Sequence, residues 1–585
     1  MIHRSATIMT LAVALVAAPV APFVMSTYAL TIATNVLVSA IFAVSLNLVL
    51  GYGGLSSLGH AAFFGSGAYV VALLAQHGAG SFSLGIIAAM ITTLLLGVVL
   101  GRILLRTHGL YFLMATLAVG EIMRNVAESW RSVTNGGDGL YGIKLPEWLA
   151  DGRHLYWFLL AALVIVIAAV AVLMRSPFGY SLRAVRDNRN RTSVLGVNPL
   201  AVELRAFALS AAIAGFAGAM FAYAKAFVSP DVLSLGVSTD AVLMVVLGGP
   251  GTLLGPVGGA LVVQVVRGVG SIYTERWLTI LGLLACLVAL DPLRYVRRRF
   301  AQATQPALPA TAPGERGVPS PVSVRLTTAA VPEPNAGQII ALEARGVRKQ
   351  FGSLNVLTDI SFSLSAGERR GLIGPNGAGK TTLLNILSGV IRPDGGSVYL
   401  GGRDITKLTP FERARLGVGR TFQIANLFDN NTVRENILIS LLARAGQSQH
   451  VLRAVSAYDS VQDEASRLLT EWSLSEWGDV PVGLLSYGRR RLVEIVLAVS
   501  QRPKVILLDE PAAGLSGRET KDIIDTVIAL DPQLSLLIVE HDMDLVFSVC
   551  DSVTVIANGR VLAEGTGETV RRDKSVNEAY LGMPL

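Results

Sequence analysis

Over the first 300 residues long apolar runs alternate with short polar breaks, the runs lying at 8–25, 28–50, 61–76, 82–101, 110–123, 155–174, 206–228, 238–250, 252–268 and 277–291. The pattern predicts about ten helical membrane spans. Residues 28–50 are uncharged throughout, and at ~1.5 Å per residue such a helix reaches about 34 Å, enough to cross a hydrocarbon core with some tilt. No Asp, Glu, Lys or Arg occurs from residue 5 to 101, so this tract belongs in lipid. The runs 238–250 and 252–268 are short and broken by Gly248, Gly249, Pro250, Gly251, Gly255 and Pro256; they read equally as a re-entrant pair or as two crossings. From residue 338 the pattern changes. Short β-rich runs (Val398–Leu400, Val505–Leu508, Leu536–Val539, Ser552–Ile556) alternate with helical stretches, the mark of an α/β domain. Between the halves, residues 302–337 carry seven prolines and read as a linker. In extended form it would reach on the order of 110 Å, so it tethers without fixing orientation. The expected organisation is a polytopic helical membrane domain over 1–300, a Pro/Ala-rich linker over 301–337 and an α/β domain over 338–585.

Composition sharpens this division. The net charge of +7 splits into 20 Lys and Arg against 11 Asp and Glu before residue 301, and 29 against 31 after it, or +9 and −2. The basic excess therefore sits in the apolar half, where it reads as loop asymmetry across a membrane and not as a nucleic-acid footprint. Arg102 and Arg106, then Arg175, Arg183, Arg186, Arg189 and Arg191, then Arg294, Arg297, Arg298 and Arg299 mark loops expected on the cytoplasmic side. They follow even-numbered spans, which places the short basic start on the same side. Residues 8–25 also resemble a signal peptide; retained or cleaved, they leave the C-terminal half in the cytoplasm. Cys286 and Cys550 stand far apart and outside any C-x-x-C spacing, which excludes a disulfide scaffold or thiolate metal centre.

The soluble half carries recognisable chemistry. Gly374-Pro375-Asn376-Gly377-Ala378-Gly379-Lys380-Thr381 fits G-x-x-x-x-G-K-[ST], follows the strand-like Gly371-Leu372-Ile373 and opens a helical run from Thr382. Glycines let backbone N–H groups close around phosphates, Lys380 reaches the β and γ oxygens, and the Thr381 hydroxyl suits Mg2+. Val505-Ile506-Leu507-Leu508 is a continuous apolar strand ending in Asp509 and Glu510. Asp509 is placed to join the Mg2+ shell and Glu510 to act as general base on the attacking water. A second such strand, Leu536–Val539, ends at Glu540-His541.

This constellation resembles the nucleotide-binding domain of ABC transporters over residues 340–585. Leu485-Ser486-Tyr487-Gly488-Arg489 looks like that family's signature motif. The resemblance implies that Ser486 and Gly488 clamp the γ-phosphate of ATP bound to an opposing domain. It also implies that Gln423 senses the γ-phosphate and joins the catalytic and Mg2+ sets, that Phe351 stacks on adenine, and that His541 is the switch histidine. The implied site holds ATP on Phe351, residues 374–381 and Thr382, with Lys380, Gln423, Glu510 and His541 catalytic and Thr381, Gln423 and Asp509 around Mg2+. Three positions depart from the commonest family pattern: Tyr487 replaces Gly, Arg489 replaces Gln, and Ser516 stands where Asp is usual. The last two leave room for a non-identical ATPase partner.

In the membrane half, Gly51 to Tyr69, Gly109-Leu-Tyr-Phe, Thr134 to Gly139, Gly248 to Thr252 and Gly255-Pro256 look like the permease of branched-chain amino acid importers. Gly419 to Gln423, Glu540 to Met543 and Ala579-Tyr-Leu-Gly582 resemble the same importer's ATPase. The resemblance implies an inner-membrane importer with a second permease, a second ATPase and an extracytoplasmic solute-binding protein, surrounded by lipid and without nucleic acid. Branched-chain amino acids are the implied cargo, with urea, amides or aromatic and small carboxylates as alternatives. An exporter or a membrane-tethered regulatory ATPase is the remote reading. Ser176-Pro-Phe-Gly179, the arginines after it and Gly196 resemble a coupling helix that docks on the ATPase near Gln423; a basic loop that only sets topology is the alternative. Asn35, Asn47, Glu121, Lys225, Asp240 and Gln264 are polar residues in apolar spans, either lining a substrate path or bonding helix to helix. The glycines of 51–67 suit close helix packing.

Overall fold

A computed structural model describes residues 19–78, 81–273, 276–290, 340–423 and 427–581. Two compact units emerge: residues 1–175 with 200–305, and residues 176–199 with 306–585. Most of expected span 8–25, the linker and the arginines at 294–299 lie outside the described residues.

The first unit is helical. Among the described residues five helices are long and apolar enough to cross a membrane: Thr27–Tyr52, Phe82–Leu104, Leu110–Ser129, Gly152–Arg175 and Pro199–Lys225. Four shorter apolar helices accompany them. The Thr27 helix starts where Ser26 caps it by accepting from the Ala29 amide, and it ends in a π-helical turn, Leu48–Tyr52. It and the Pro199 helix are the most buried of the five, whereas the Phe82 helix exposes Leu84, Ile87, Ile91, Leu95 and Val99. An apolar face of that kind suits lipid.

Small residues bring these helices together. A Cβ on Gly59 would stand 1.8 Å from the Thr116 carbonyl oxygen, and one on Gly67 would stand 2.2 Å from that of Gly215. Gly51, Gly59, Gly65 and Gly67 are thus packing residues, as expected. The broken runs become helices Leu235–Gly248 and Gly255–Tyr273, joined by a turn that the Asn47 side chain holds from both sides. Its amide donates to the Thr252 carbonyl at 2.9 Å, and its oxygen accepts from the Gly251 amide at 2.9 Å. The first of these helices has 14 residues, about 21 Å, short of a full crossing on its own. Gln264 bonds to Ser39 at 2.6 Å, Arg267 pairs with Asp240, and Glu121 pairs with Arg124 at 3.2 Å. For Asn47, Asp240 and Gln264 the bonds observed run from helix to helix or helix to turn.

The second unit is built on a sheet of ten strands among the described residues. They are β1 (Ile340–Phe351), β2 (Leu354–Ser365), β3 (Arg369–Ile373), β4 (Gly395–Leu400), β5 (Arg403–Asp404), β6 (Val418–Arg420), β7 (Val505–Asp509), β8 (Ser535–Val539), β9 (Ser552–Ala557) and β10 (Arg560–Gly565). The spatial order is β5-β4-β1-β2-β10-β9-β3-β8-β7-β6. Strands β9, β3, β8, β7 and β6 run parallel to their neighbours in that series. Every residue of β7 and β8 is buried, which is why both read as unbroken apolar runs. Parallel strands present their C-terminal ends along one edge, and the chemistry gathers there.

Residues 176–199 form helices Pro177–Asp187 and Arg189–Val194. The first is amphipathic, with Phe178, Leu182, Ala184 and Val185 buried. Leu195 and Ala184 join the apolar cluster that contains Trp472, Val493 and Leu508.

Candidate functional site

The loop after β3 closes over residues 374–379 and feeds the helix Lys380–Leu387. Gly379 has φ +100, and a Cβ there would meet Leu357 Cδ2 at 2.5 Å, so both conformation and space require glycine. Lys380 folds back on this loop, its Nζ donating to the carbonyls of Gly374 at 2.6 Å and Pro375 at 3.1 Å. Burial holds its ammonium below the ordinary lysine range, with Glu510 and Asp509 opposing that shift. Pro375, Asn376, Gly377 and Ala378 complete the loop. Thr381 is exposed and Thr382 half-buried in the first helical turn.

Asp509 ends β7 beside the parallel strands β6 and β8. Its Oδ2 lies 3.5 Å from Arg420, whereas Oδ1 is buried without a hydrogen-bond partner. Burial raises its pKa and Arg420 opposes the rise. An orphaned carboxylate oxygen at a strand end and an exposed threonine hydroxyl at a helix start are oxygen donors of the kind that fit Mg2+. Glu510 follows at φ +46, a conformation uncommon outside glycine. Its carboxylate accepts from Gln423 Nε2 at 2.9 Å and lies 2.9 Å from His541 Nε2. The structure therefore brings Glu510, Gln423 and His541 into one contact group next to Asp509.

Phe351 ends β1, half-exposed, with Lys349 Nζ 5.4 Å from its ring centre. Ser486 is the exposed N-cap of the helix Tyr487–Ser500, and buried Gly488 faces the Glu519 carboxylate, which a Cβ would meet at 2.7 Å. Each departure from the family pattern has a local partner. Tyr487 packs beside Gly514, Arg489 lies 4.0 Å over the Trp477 ring, and Ser516 caps the helix Gly517–Ile528 in a capping box with Glu519. Serine and aspartate serve equally as N-caps, so Ser516 keeps the helix start.

Sequence reasoning missed four contributors. Thr421 Oγ1 accepts from the Asp509 amide at 3.2 Å. Glu540 holds the Ala512 amide at 3.0 Å. Glu494 and Arg491 pair at 2.9 Å, both fully buried. A glutamate amid Leu492, Val493, Ile495 and Val496 was the available signal, since an unpaired charge there would be very costly.

A phosphate-cradling loop, a buried aspartate with a free oxygen and a glutamate held at a strand end define a P-loop ATPase, carried on one chain with a helical membrane unit. Residues 28–290 match the family described as the branched-chain amino acid transport system / permease component, and residues 357–513 match the ABC transporter family. High-affinity branched-chain amino acid transport ATP-binding protein BraF of Pseudomonas aeruginosa is 37% identical over 254 residues, 41% of this chain and 97% of that protein. The LivG protein of the same description from Escherichia coli is 36% identical over 248 residues, again 41% of this chain and 97% of that protein. A crystal structure of an ATP-binding cassette of an ABC transporter in its ADP conformation shares 32% identity, covers 42% of this chain and 99% of its own, and gives a TM-score of 0.37. The chain belongs to the branched-chain amino acid type of ABC transporter, with permease and ATP-binding components fused in one polypeptide.

Proposed function

We propose that the chain is the energised half of an importer that carries branched-chain amino acids across a bacterial inner membrane into the cytoplasm. The observation that supports this best is the agreement of the two halves, since a branched-chain amino acid permease match precedes relatives named for ATP binding in that same transport. The reading extends to a second permease, a second ATPase and an extracytoplasmic solute-binding protein, in a heteromeric assembly set in lipid.

In this reading ATP lies with its phosphates in the loop 374–379, contacted by Lys380 and Thr382, and its adenine against Phe351. Ser486 and Gly488 serve the nucleotide of an opposing ATPase. Thr381, Asp509 and Gln423 would hold Mg2+, which when bound neutralises charge on the β and γ oxygens. Glu510 accepts a proton from the attacking water as its oxygen bonds to the γ-phosphorus and the bond to the bridging β–γ oxygen breaks. His541 and Gln423 orient Glu510 for that step, and segment 176–199 couples it to the spans. Chelating Mg2+ with EDTA is expected to abolish hydrolysis, and excess Mg2+ to restore it, in a phosphate-release assay.

Cargo is tested by uptake of labelled leucine, urea and benzoate in cells with the locus intact, deleted or carrying Glu510→Gln. Leucine is expected to enter only with the intact locus. Entry of all three labels in every strain would overturn the assignment, and exclusive entry of urea or benzoate would move it to that solute.

A further inference from the structure

Arg191 enters the ATPase unit at unusual electrostatic cost. It lies on the short helix Arg189–Val194, which Asn188 caps by accepting from the Arg191 amide at 2.8 Å. Its side chain is fully buried, one nitrogen lying 3.3 Å from Glu494 Oε1 and donating to the Arg420 carbonyl at 3.4 Å. Nε and Nη2 are buried without hydrogen-bond partners. A cation so poorly satisfied contributes little stability, and an apolar side chain of similar volume would do as well or better. Some other role must account for its placement.

Glu494 supplies the connection. Its Oε1 also accepts from the Phe422 amide at 2.8 Å, and its Oε2 holds Arg491 at 2.9 Å. Arg491 in turn donates to the carbonyls of Phe422 and Gln423, and to that of Glu510 at 3.2 Å. Gln423 and Glu510 then meet through their side chains at 2.9 Å. A continuous set of contacts thus runs from Arg191 through one buried glutamate to the backbone of both residues read above as acting on the γ-phosphate. With Arg191 seated the group is Arg–Glu–Arg and carries a net positive charge; without it Glu494 and Arg491 form a neutral pair. Burial pushes the Glu494 pKa up and the Arg191 pKa down, with each partner's charge opposing the shift on the other.

We propose that Arg191 is a positioning residue of the ATPase site: its charge beside Glu494 sets the clamp by which Arg491 holds Phe422, Gln423 and Glu510, so hydrolysis is fast only while segment 176–199 is seated. The proposal rests on the reading of Glu510 and Gln423 given above. It makes segment 176–199 more than an apolar contact, because the segment also carries the charge that completes the clamp.

The test uses the full chain in membranes with the subunits that assemble with it, comparing Arg191→Met, Arg191→Lys and Glu510→Gln. Seating is read separately by thiol cross-linking of Ser181→Cys with Ser448→Cys in a Cys286→Ser, Cys550→Ala background, because Ser181 Oγ donates to the Ser448 carbonyl at 2.9 Å. Arg191→Met is expected to lower kcat for ATP about tenfold, with KM within about twofold, since no P-loop contact changes. Cross-link yield and heat inactivation should match the parent, and Arg191→Lys should stay within about threefold of it because the charge is kept. An Arg191→Met chain with parental kcat, or one that loses the cross-link along with rate, overturns the proposal. So does Arg191→Lys falling as far as Arg191→Met. Should Glu510→Gln hydrolyse ATP normally, the reading of the site itself fails, which is a separate result.

Discussion

Glu510→Gln is expected to lower ATP hydrolysis by about 10²–10⁴-fold, the range for loss of a positioned general base. ATP affinity should change little, because the residues that cradle phosphate, Gly374 to Lys380, do not depend on the carboxylate. Glutamine matches glutamate in shape, so the Gln423 and His541 neighbours at 2.9 Å keep a polar partner while the proton acceptor is lost. The positive φ of Glu510 supports the assignment. Such a conformation costs roughly 1–3 kcal/mol and persists only where its surroundings impose it. Here the Glu510 amide donates to the Val539 carbonyl at 2.9 Å and its own carbonyl accepts from Arg491, fixing the side chain at the mouth of the parallel strands. Single-turnover phosphate release and nucleotide-binding titration on the same preparation check both halves of the prediction. A variant that keeps its hydrolysis rate would move the base elsewhere.

Much of this site was legible because its chemistry is local in sequence. The phosphate loop needs glycines, a lysine and a threonine at fixed spacing, and residues 374–381 carry them side by side. Asp509, Glu510 and His541 end apolar strands that can only be interior strands of a parallel sheet, so their convergence at one edge follows from topology. What holds those residues was hidden, because it arrives from far along the chain. Arg491 reaches Glu510 and Gln423 across 19 and 68 residues, and Asn47 closes the turn at Gly251 across 204. Neither leaves a local pattern. The docking segment was half legible: Ser176 to Gly179 and the arginines after it resembled a coupling helix, but the burial of Phe178, Leu182 and Arg191 depends on a surface formed by residues more than 200 positions away.

The second large effect is expected at Arg413, a residue that no motif contains. Its side chain is buried beside the end of the phosphate-loop helix, Lys380–Leu387, and donates to four carbonyls. Those of Ile386 at 2.6 Å and Leu387 at 2.8 Å belong to the last turn of that helix, and those of Leu408 at 3.1 Å and Thr406 at 2.9 Å to the turn and loop that follow β5. A cation at a helix C-terminus is doubly favoured, by the bonds and by the dipole. Burial pushes the guanidinium down to about 10, with Asp404 opposing, so it remains charged at neutral pH. Arg413→Leu removes every one of these donors while filling much of the space, leaving carbonyls in a site that water does not reach. The expected loss is about 3–5 kcal/mol, the range for stranding buried polar partners. At that size the temperature at which ATP binding is lost should fall by roughly 10 °C. Arg413→Lys keeps the charge but replaces a planar fork by a single ammonium, and should recover only part of the loss. Because Lys380 and Thr381 open the same helix, nucleotide affinity measured below the transition should weaken with the helix C-terminus unpinned. Parental heat resistance in Arg413→Leu would show that the helix is held by its apolar face alone, through Leu383, Leu384 and Leu387.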